Sequence, residues 1–226
     1  MATASAAAGA GKMPFVSVDI ISDVICPWCF VGKRRLEKAM AALPEGVTVA
    51  VRWRPFELNP QMPREGMERA EYRRRKFGSL EYSQKLDAQI AAVGAEVGIG
   101  FRQDLIRRTP NTFDAHRLLW LAEREGDQDA LAEAMFRAYF VEGRDLGERA
   151  VLAELAASAG IDRGRAEAFL AGEEGADAVA RTALEARRGG VSGVPTFIID
   201  GEPAFSGAQQ PEVMLAHLLD AAGPRA

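Results

Sequence analysis

The apolar positions change period twice along the chain. Phe15-Val-Ser-Val-Asp-Ile-Ile21 is short, rich in β-branched residues and bounded by Pro14 and Ser22-Asp23, which predicts a buried strand. From Phe30 to Leu43 the spacing of Leu36, Ala39, Met40 and Leu43 is helical. Gly46 interrupts, and Val47-Thr-Val-Ala-Val-Arg-Trp53 alternates as a second strand. Strand, helix and strand in that order form a βαβ unit, whose strands pair in parallel by default. From about Met67 to Arg188 strand patterns give way to helical ones. Leu86, Ile90, Val93 and Val97 form one stripe, and Phe113, Leu118, Leu119 and Leu121 mark a second helix. Met135, Phe136 and Tyr139 mark a third, and Val151, Leu152, Leu155 and Ala159 a fourth. Gly78, Gly98, Gly143 and Gly160 punctuate them as breaks or caps. After Gly189-Gly190 the strand signal returns. Thr196-Phe-Ile-Ile-Asp200 leads through Gly201 to Ala204-Phe-Ser206 as a hairpin, and a last helix runs from Pro211 to Ala222. The chain has no internal repeat.

Composition narrows the class. The 226 residues suit one large domain or two intimate ones. A chain of this size buries about 70% of its unfolded surface and needs no disulfide staple. With 48% apolar and 27% charged residues, the balance is that of a soluble globular protein. A net charge of -4 argues against a nucleic-acid partner held by bulk charge. The first residues, MATASAAAGAGKMPF, lack both the basic start and the Leu-rich run of a secretory signal. Residues 1–12 therefore read as a disordered leader, and a start at Met13 is equally compatible. No run of 18 apolar residues exists, so no membrane span is expected. The expected compartment is cytoplasmic and reducing.

Cys26-Pro27-Trp28-Cys29 holds the only two cysteines. Two thiols three apart on the first turn of a helix can close a disulfide, or can attack and release one on another molecule. The competing use is half of a zinc site completed by His116 and His217, but nothing in the sequence brings those histidines near, and no metal is expected. Cys26 is expected at the N-cap or N1, where unpaired N–H groups and the helix dipole favour a thiolate. Cys29, one turn further in, is expected to be more buried and to resolve. Pro27 suits the first turn, where its missing N–H is no loss.

The order β-CxxC-α-β, a helical block, then Val194-Pro195-Thr196 with ββα resembles the DsbA-like branch of the thioredoxin superfamily. Within that branch the chain is most similar to the cytosolic FrnE-type dithiol oxidoreductases. The residues that carry the likeness are Ser22 to Cys29 with Gly32-Lys33-Arg34, Arg54 to Pro60, Pro110-Asn111-Thr112 with Ala115-His116-Arg117, Glu142 to Asp145 and Gly193 to Phe197. The implied fold is α/β, a thioredoxin fold from residues 13–62 and 189–226 with a large all-helical insertion at 63–188.

The resemblance also implies roles. Pro195 follows a cis bond and faces the dithiol, leaving the Val194 backbone free to pair with an extended substrate. Val194, Thr196 and His116 are the candidate substrate contacts, and Asp19 is the candidate buried acid beneath the dithiol. Asp23, in the turn, either caps the helix or acts on sulfur. Trp28 lacks the charge of a histidine at its place, so the potential is expected between about -270 mV and -120 mV, thioredoxin and DsbA marking the ends. Asn111-Thr112 reads as an N-cap, and Arg73-Arg74-Arg75-Lys76 as a solvated face.

The implied activity is thiol–disulfide exchange or isomerisation on disulfide- or dithiol-bearing proteins or peptides. Glutathione or a thioredoxin system would recycle the pair, no cofactor beyond the redox-active dithiol is needed, and a homodimer through the helical insert is left open. The competing reading is a glutathione-using transferase of the kappa class or a hydroxychromene-carboxylate isomerase. Those typically carry serine where Cys26 stands.

Overall fold

The computed structural model describes residues 14–223. The expected leader at 1–12, with the alternative start at Met13, lies outside them. The first strand, β1 (Phe15–Ser22), feeds α1 (Pro27–Ala41), and β2 (Thr48–Pro55) follows. β1 pairs in parallel with β2, Asp19 opposite Arg52 and Ile20 opposite Trp53. After the helical segment, β5 (Thr196–Ile199) pairs antiparallel with β1, and β6 (Glu202–Ser206) pairs antiparallel with β5. The sheet order is β2-β1-β5-β6, and α9 (Pro211–Ala222) packs beside α1. The βαβ and ββα halves of a thioredoxin fold are therefore both present.

Strand parity assigns the two faces. On β1, Val16, Val18, Ile20 and Ser22 are buried, whereas Ser17 and Asp19 are half-buried. The buried set faces α1, and the Asp19 side faces the helix that precedes β5.

Helices and one short ladder fill the chain between β2 and β5. The four expected helices are α3 (Leu80–Glu96), α4 (Phe113–Glu125), α5 (Gln128–Phe140) and α6 (Arg149–Ser158). Two more, α7 (Arg163–Ala171) and α8 (Ala176–Arg188), carry few large apolar residues; only Ala166, Phe169 and Leu170 of α7 and Val179 and Ala183 of α8 are buried. The segment also holds α2 (Arg69–Phe77), with no fully buried residue, and a two-residue ladder of β3 (Met67–Glu68) with β4 (Arg108–Thr109). Gly78, Gly98, Gly143 and Gly160 all have positive φ, from 70° to 88°, which is why glycine ends those segments.

The helical segment shares its core with the sheet. Phe30 of α1 stacks on Phe136 of α5 with centroids 5.2 Å apart, and Trp53 of β2 meets Phe136 edge-on at 5.6 Å. Such pairs add about 0.5–1.5 kcal/mol each beyond the area they bury. Gln128 reinforces the junction, accepting from the Trp53 N–H at 2.8 Å and donating to the Trp53 carbonyl at 3.1 Å. Buried Arg117 of α4 donates to the carbonyls of Phe169, Gly172 and Glu174 and to Asp114, tying α4 to α7 and the α7–α8 turn.

Candidate active site

Cys26 is the N-cap of α1, with extended φ and ψ of -93° and 113°, and Pro27 opens the first turn. Its carbonyl accepts the Cys29 N–H at 3.0 Å, so the CxxC is one tight helical turn. Both cysteines are free thiols; Cys26 is 5% exposed and Cys29 fully buried. The Val194–Pro195 peptide is cis, and the Val194 carbonyl accepts from Cys26 Sγ at 3.5 Å. Pro195 is buried against α1, where Gly32 leaves room: a β-carbon on Gly32 would lie 3.1 Å from Pro195 Cγ. Trp28, 43% exposed, stands at the rim.

The two thiols are held in opposite senses. The Cys29 thiol, hydrogen-bonding to the Cys26 sulfur, lowers the Cys26 pKa most, with the Cys29 and Trp28 N–H groups adding to it. Burial and the negative charge of Asp23 work against that lowering. Burial pushes Cys29 well above the ordinary thiol value, and its hydrogen bond to Cys26 adds to the rise. The Ser22 hydroxyl and the Asp23 N–H face Cys29 and oppose it. An attacking thiol whose pKa is lowered beside a partner whose pKa is raised is the ordering that sequential attack and resolution require.

Asp23 is the buried acid here. Its side chain is fully buried; Oδ2 accepts the Leu58 N–H at 2.7 Å and Oδ1 the Ile25 N–H at 3.4 Å. His116 of α4, 2% exposed, brings Nε2 to 3.5 Å from Asp23 Oδ1. Glu57 lies near enough to feel both, and burial pushes its pKa up.

Several sequence expectations are corrected. Asp19 does not lie beneath the dithiol: its odd position puts it on the face of the sheet opposite α1, where Arg52 and Arg54 each donate to Oδ1 at 2.8 Å. Ser22, in phase with Val16, Val18 and Ile20, takes the place under Cys29. His116 is not a substrate contact, because α4 turns it into the interior behind the turn, against Asp23. Thr196 does not present its hydroxyl to the dithiol side either. Its Oγ1 donates to the Gly193 carbonyl at 2.9 Å and lies 3.0 Å from Ser206 Oγ, bracing the loop from behind. Asp23 does not cap α1, whose N-cap is Cys26.

The basic run on α2 is not one solvated face but two. Arg74 and Arg75 are exposed and paired with Glu71. Arg73 and Lys76, one turn apart on the other side of α2, instead line a cleft of about 260 Å³ with Cys26, Pro27 and Trp28. The helical period within the run, 73 with 76 against 74 and 75, was the available signal. His217 of α9 lies against the ring of Phe205 of β6, with centroids 5.0 Å apart. Among the described residues no cluster of three His, Cys, Asp or Glu side chains is placed to hold a metal.

A thioredoxin-like sheet with a CxxC capping its first helix, opposite a cis-proline loop and interrupted by helices, defines a dithiol protein of the thioredoxin class. The profile of the DSBA-like thioredoxin domain matches residues 17–219, and the chain belongs to that family. It is 30% identical over 200 residues to YwbO, an uncharacterised protein of Bacillus subtilis, covering 88% of this chain and 93% of YwbO. A probable DsbA oxidoreductase of Streptomyces coelicolor superposes with a TM-score of 0.83 at 38% identity, covering 93% of this chain and 92% of that one. The cytosolic disulfide reductase DsbM of Pseudomonas aeruginosa superposes with a TM-score of 0.62 at 26% identity, covering 90% of this chain and 97% of that one.

Proposed function

We propose that this chain is a thiol–disulfide oxidoreductase and isomerase acting on protein disulfides. The observation that carries this reading is the geometry of one strand–helix turn, with Cys26 at the N-cap of α1, its Sγ 3.5 Å from the Val194 carbonyl of the cis-proline loop, and Cys29 buried one turn further in. The lowered Cys26 and raised Cys29 agree with it. The Cys26 thiolate attacks one sulfur of a client disulfide, forming a mixed disulfide and releasing the other client sulfur as a thiolate. Cys29 then gives up its proton and attacks Cys26 Sγ, expelling the second client sulfur and closing Cys26–Cys29. Two electrons pass to the client, and the two released client thiolates take up the Cys29 proton and one from solvent. If instead a different client thiolate attacks the mixed disulfide, a new client disulfide forms, Cys26 leaves as thiolate, and the result is isomerisation with no net electron transfer.

The Val194 carbonyl and the cis-Pro195 loop face the attacking sulfur, which supports an extended client segment laid along them by strand addition. A reducing, cytoplasmic setting suits the chain, with glutathione or a thioredoxin system returning Cys26–Cys29 to the dithiol. The name of DsbM, a cytosolic disulfide reductase, supports that setting. The alternative of a kappa-class transferase or hydroxychromene-carboxylate isomerase is disfavoured by the cysteine that stands at position 26.

Insulin reduction driven by dithiothreitol and reactivation of scrambled ribonuclease test the reading. Both activities are expected to vanish in Cys26→Ser. Full activity in that variant would overturn the proposal.

A further inference from the structure

The cleft beside Cys26 has a chemistry that strand addition by a protein client does not use. Its wall is α2, which turns Arg69, Arg73 and Lys76 toward the dithiol, against a single lining carboxylate, Asp87. Arg73 Nη2 reaches Asp87 Oδ1 at 2.5 Å and Arg69 Nη2 reaches Oδ2 at 3.6 Å, so one carboxylate is shared by two guanidiniums. Burial pushes Arg73 below its usual pKa, with the charge of Arg69 adding to the fall and that of Asp87 opposing it. Lys76 Nζ meets the Tyr72 hydroxyl, at 2.7 Å, and the face of the Tyr72 ring, neither of which carries a charge to balance its own. Arg69 also occupies Gln103 Oε1 at 2.7 Å, which fixes the amide and leaves its buried Nε2 without a hydrogen-bond partner. A surplus of positive charge and an orphaned donor thus line one cleft in a chain whose net charge is -4. A ligand carboxylate answers all of these at once.

Size sets the rest. The cleft holds about 260 Å³, room for a ligand of a few residues but not for a folded surface. We propose that it is a recognition site for small disulfides bearing carboxylates, with Arg69, Lys76 and Gln103 Nε2 holding the carboxylate while Cys26 attacks the sulfur. This rests on the thiol–disulfide reading above and adds a second class of substrate to it. The stoichiometry is one such disulfide reduced to two thiols, with the Cys26–Cys29 dithiol as the two-electron donor.

Single-turnover oxidation of the reduced full chain tests it. The probes are oxidised glutathione, neutral bis(2-hydroxyethyl) disulfide and cationic cystamine, each rate divided by the rate of the same disulfide with dithiothreitol. The wild type is expected to favour oxidised glutathione over the neutral probe by about tenfold or more, with cystamine slowest and the preference fading at high salt. Arg69→Gln and Lys76→Gln are each expected to cut that ratio by about tenfold, the loss typical of one charge-assisted hydrogen bond. Arg75→Gln, on the outer side of α2, is expected to leave the ratio in place. Lys76 is exposed, so its variant carries the test if Arg69→Gln does not fold. Equal normalised rates for the three probes, or a ratio unmoved by both variants, would overturn the proposal while leaving protein disulfide exchange intact. Failure of all three disulfides to oxidise the chain would overturn both.

Discussion

Gly32 is the contact between the dithiol helix and the cis-proline loop, and filling it tests how the site is built. A β-carbon there would meet Pro195 Cγ at 3.1 Å, Phe197 Cζ at 3.4 Å and Ala208 Cβ at 3.8 Å. Gly32→Val adds a branched side chain where even one carbon is tight, and neither a proline ring nor the fully buried Phe197 can swing aside. Overpacking of this kind costs about 1–3 kcal/mol. The gain in helix propensity of valine over glycine, about a few tenths of a kcal/mol, does not offset it. For a chain of this length each kcal/mol is worth about 2–4 °C, so the melting temperature should fall by about 2–10 °C. Gly32→Ala, where a gain of about 1 kcal/mol opposes one tight contact, should stay close to the wild type. The valine variant should also alter the chemistry. Displacing Pro195 draws the Val194 carbonyl away from Cys26 Sγ, and the thiol form loses the acceptor it has at 3.5 Å. The alkylation profile of Cys26 should then shift to lower pH. Thermal unfolding by circular dichroism and iodoacetamide kinetics read both effects. A Gly32→Val chain melting at or above the wild type, with an unchanged pH profile, would refute the packing argument.

Three further outcomes follow from the electrostatics and the shared core. Asp23→Asn keeps an acceptor for the Leu58 N–H but removes the charge that opposes the Cys26 thiolate, so Cys26 should alkylate faster at mildly acid pH than in the wild type; a slower reaction would contradict the assigned sign. Cys29 is held above its unfolded value, so the stability it contributes is present below about pH 8.5 and is lost as pH rises through the folded value. The melting temperature of the reduced chain should therefore decline above about pH 8.5, and less so in Cys29→Ala; equal declines would show that Cys29 is not the group responsible. Arg117→Met removes donors from three carbonyls and from Asp114, which should cost about 3–5 kcal/mol in urea unfolding; a cost under about 1 kcal/mol would mean that the α4–α7 tie is not structural.

Much of the fold was legible because its signals are local. The β-branched run of β1, the alternation of β2 and the Gly201 turn of the hairpin each follow from a few residues, and the dithiol sits at the predicted strand–helix turn. What stayed hidden depends on faces and distances. α2 carries a basic run and no buried residue, so no apolar stripe announced it, yet it forms a wall of the cleft. α7 and α8 pack through alanines and a few larger residues, which give a faint stripe. Asp19, which the resemblance places beneath the dithiol, stands one step of strand parity from the buried set, the smallest shift that moves a side chain across a sheet. Asp23 and His116 are distant in sequence and meet because a helix of the inserted segment folds behind the turn, a pairing no local pattern encodes.

The division of labour between the two thiols is tested most directly by mapping the products of the reduced chain with oxidised glutathione by mass spectrometry. The wild type should end with an intramolecular Cys26–Cys29 disulfide and no retained glutathione. Cys29→Ala should stop with one glutathione on Cys26, and Cys26→Ala should react far more slowly at Cys29. A Cys26→Ala chain that takes up glutathione on Cys29 as fast as the wild type reacts would contradict the assignment of Cys26 as the attacking thiol.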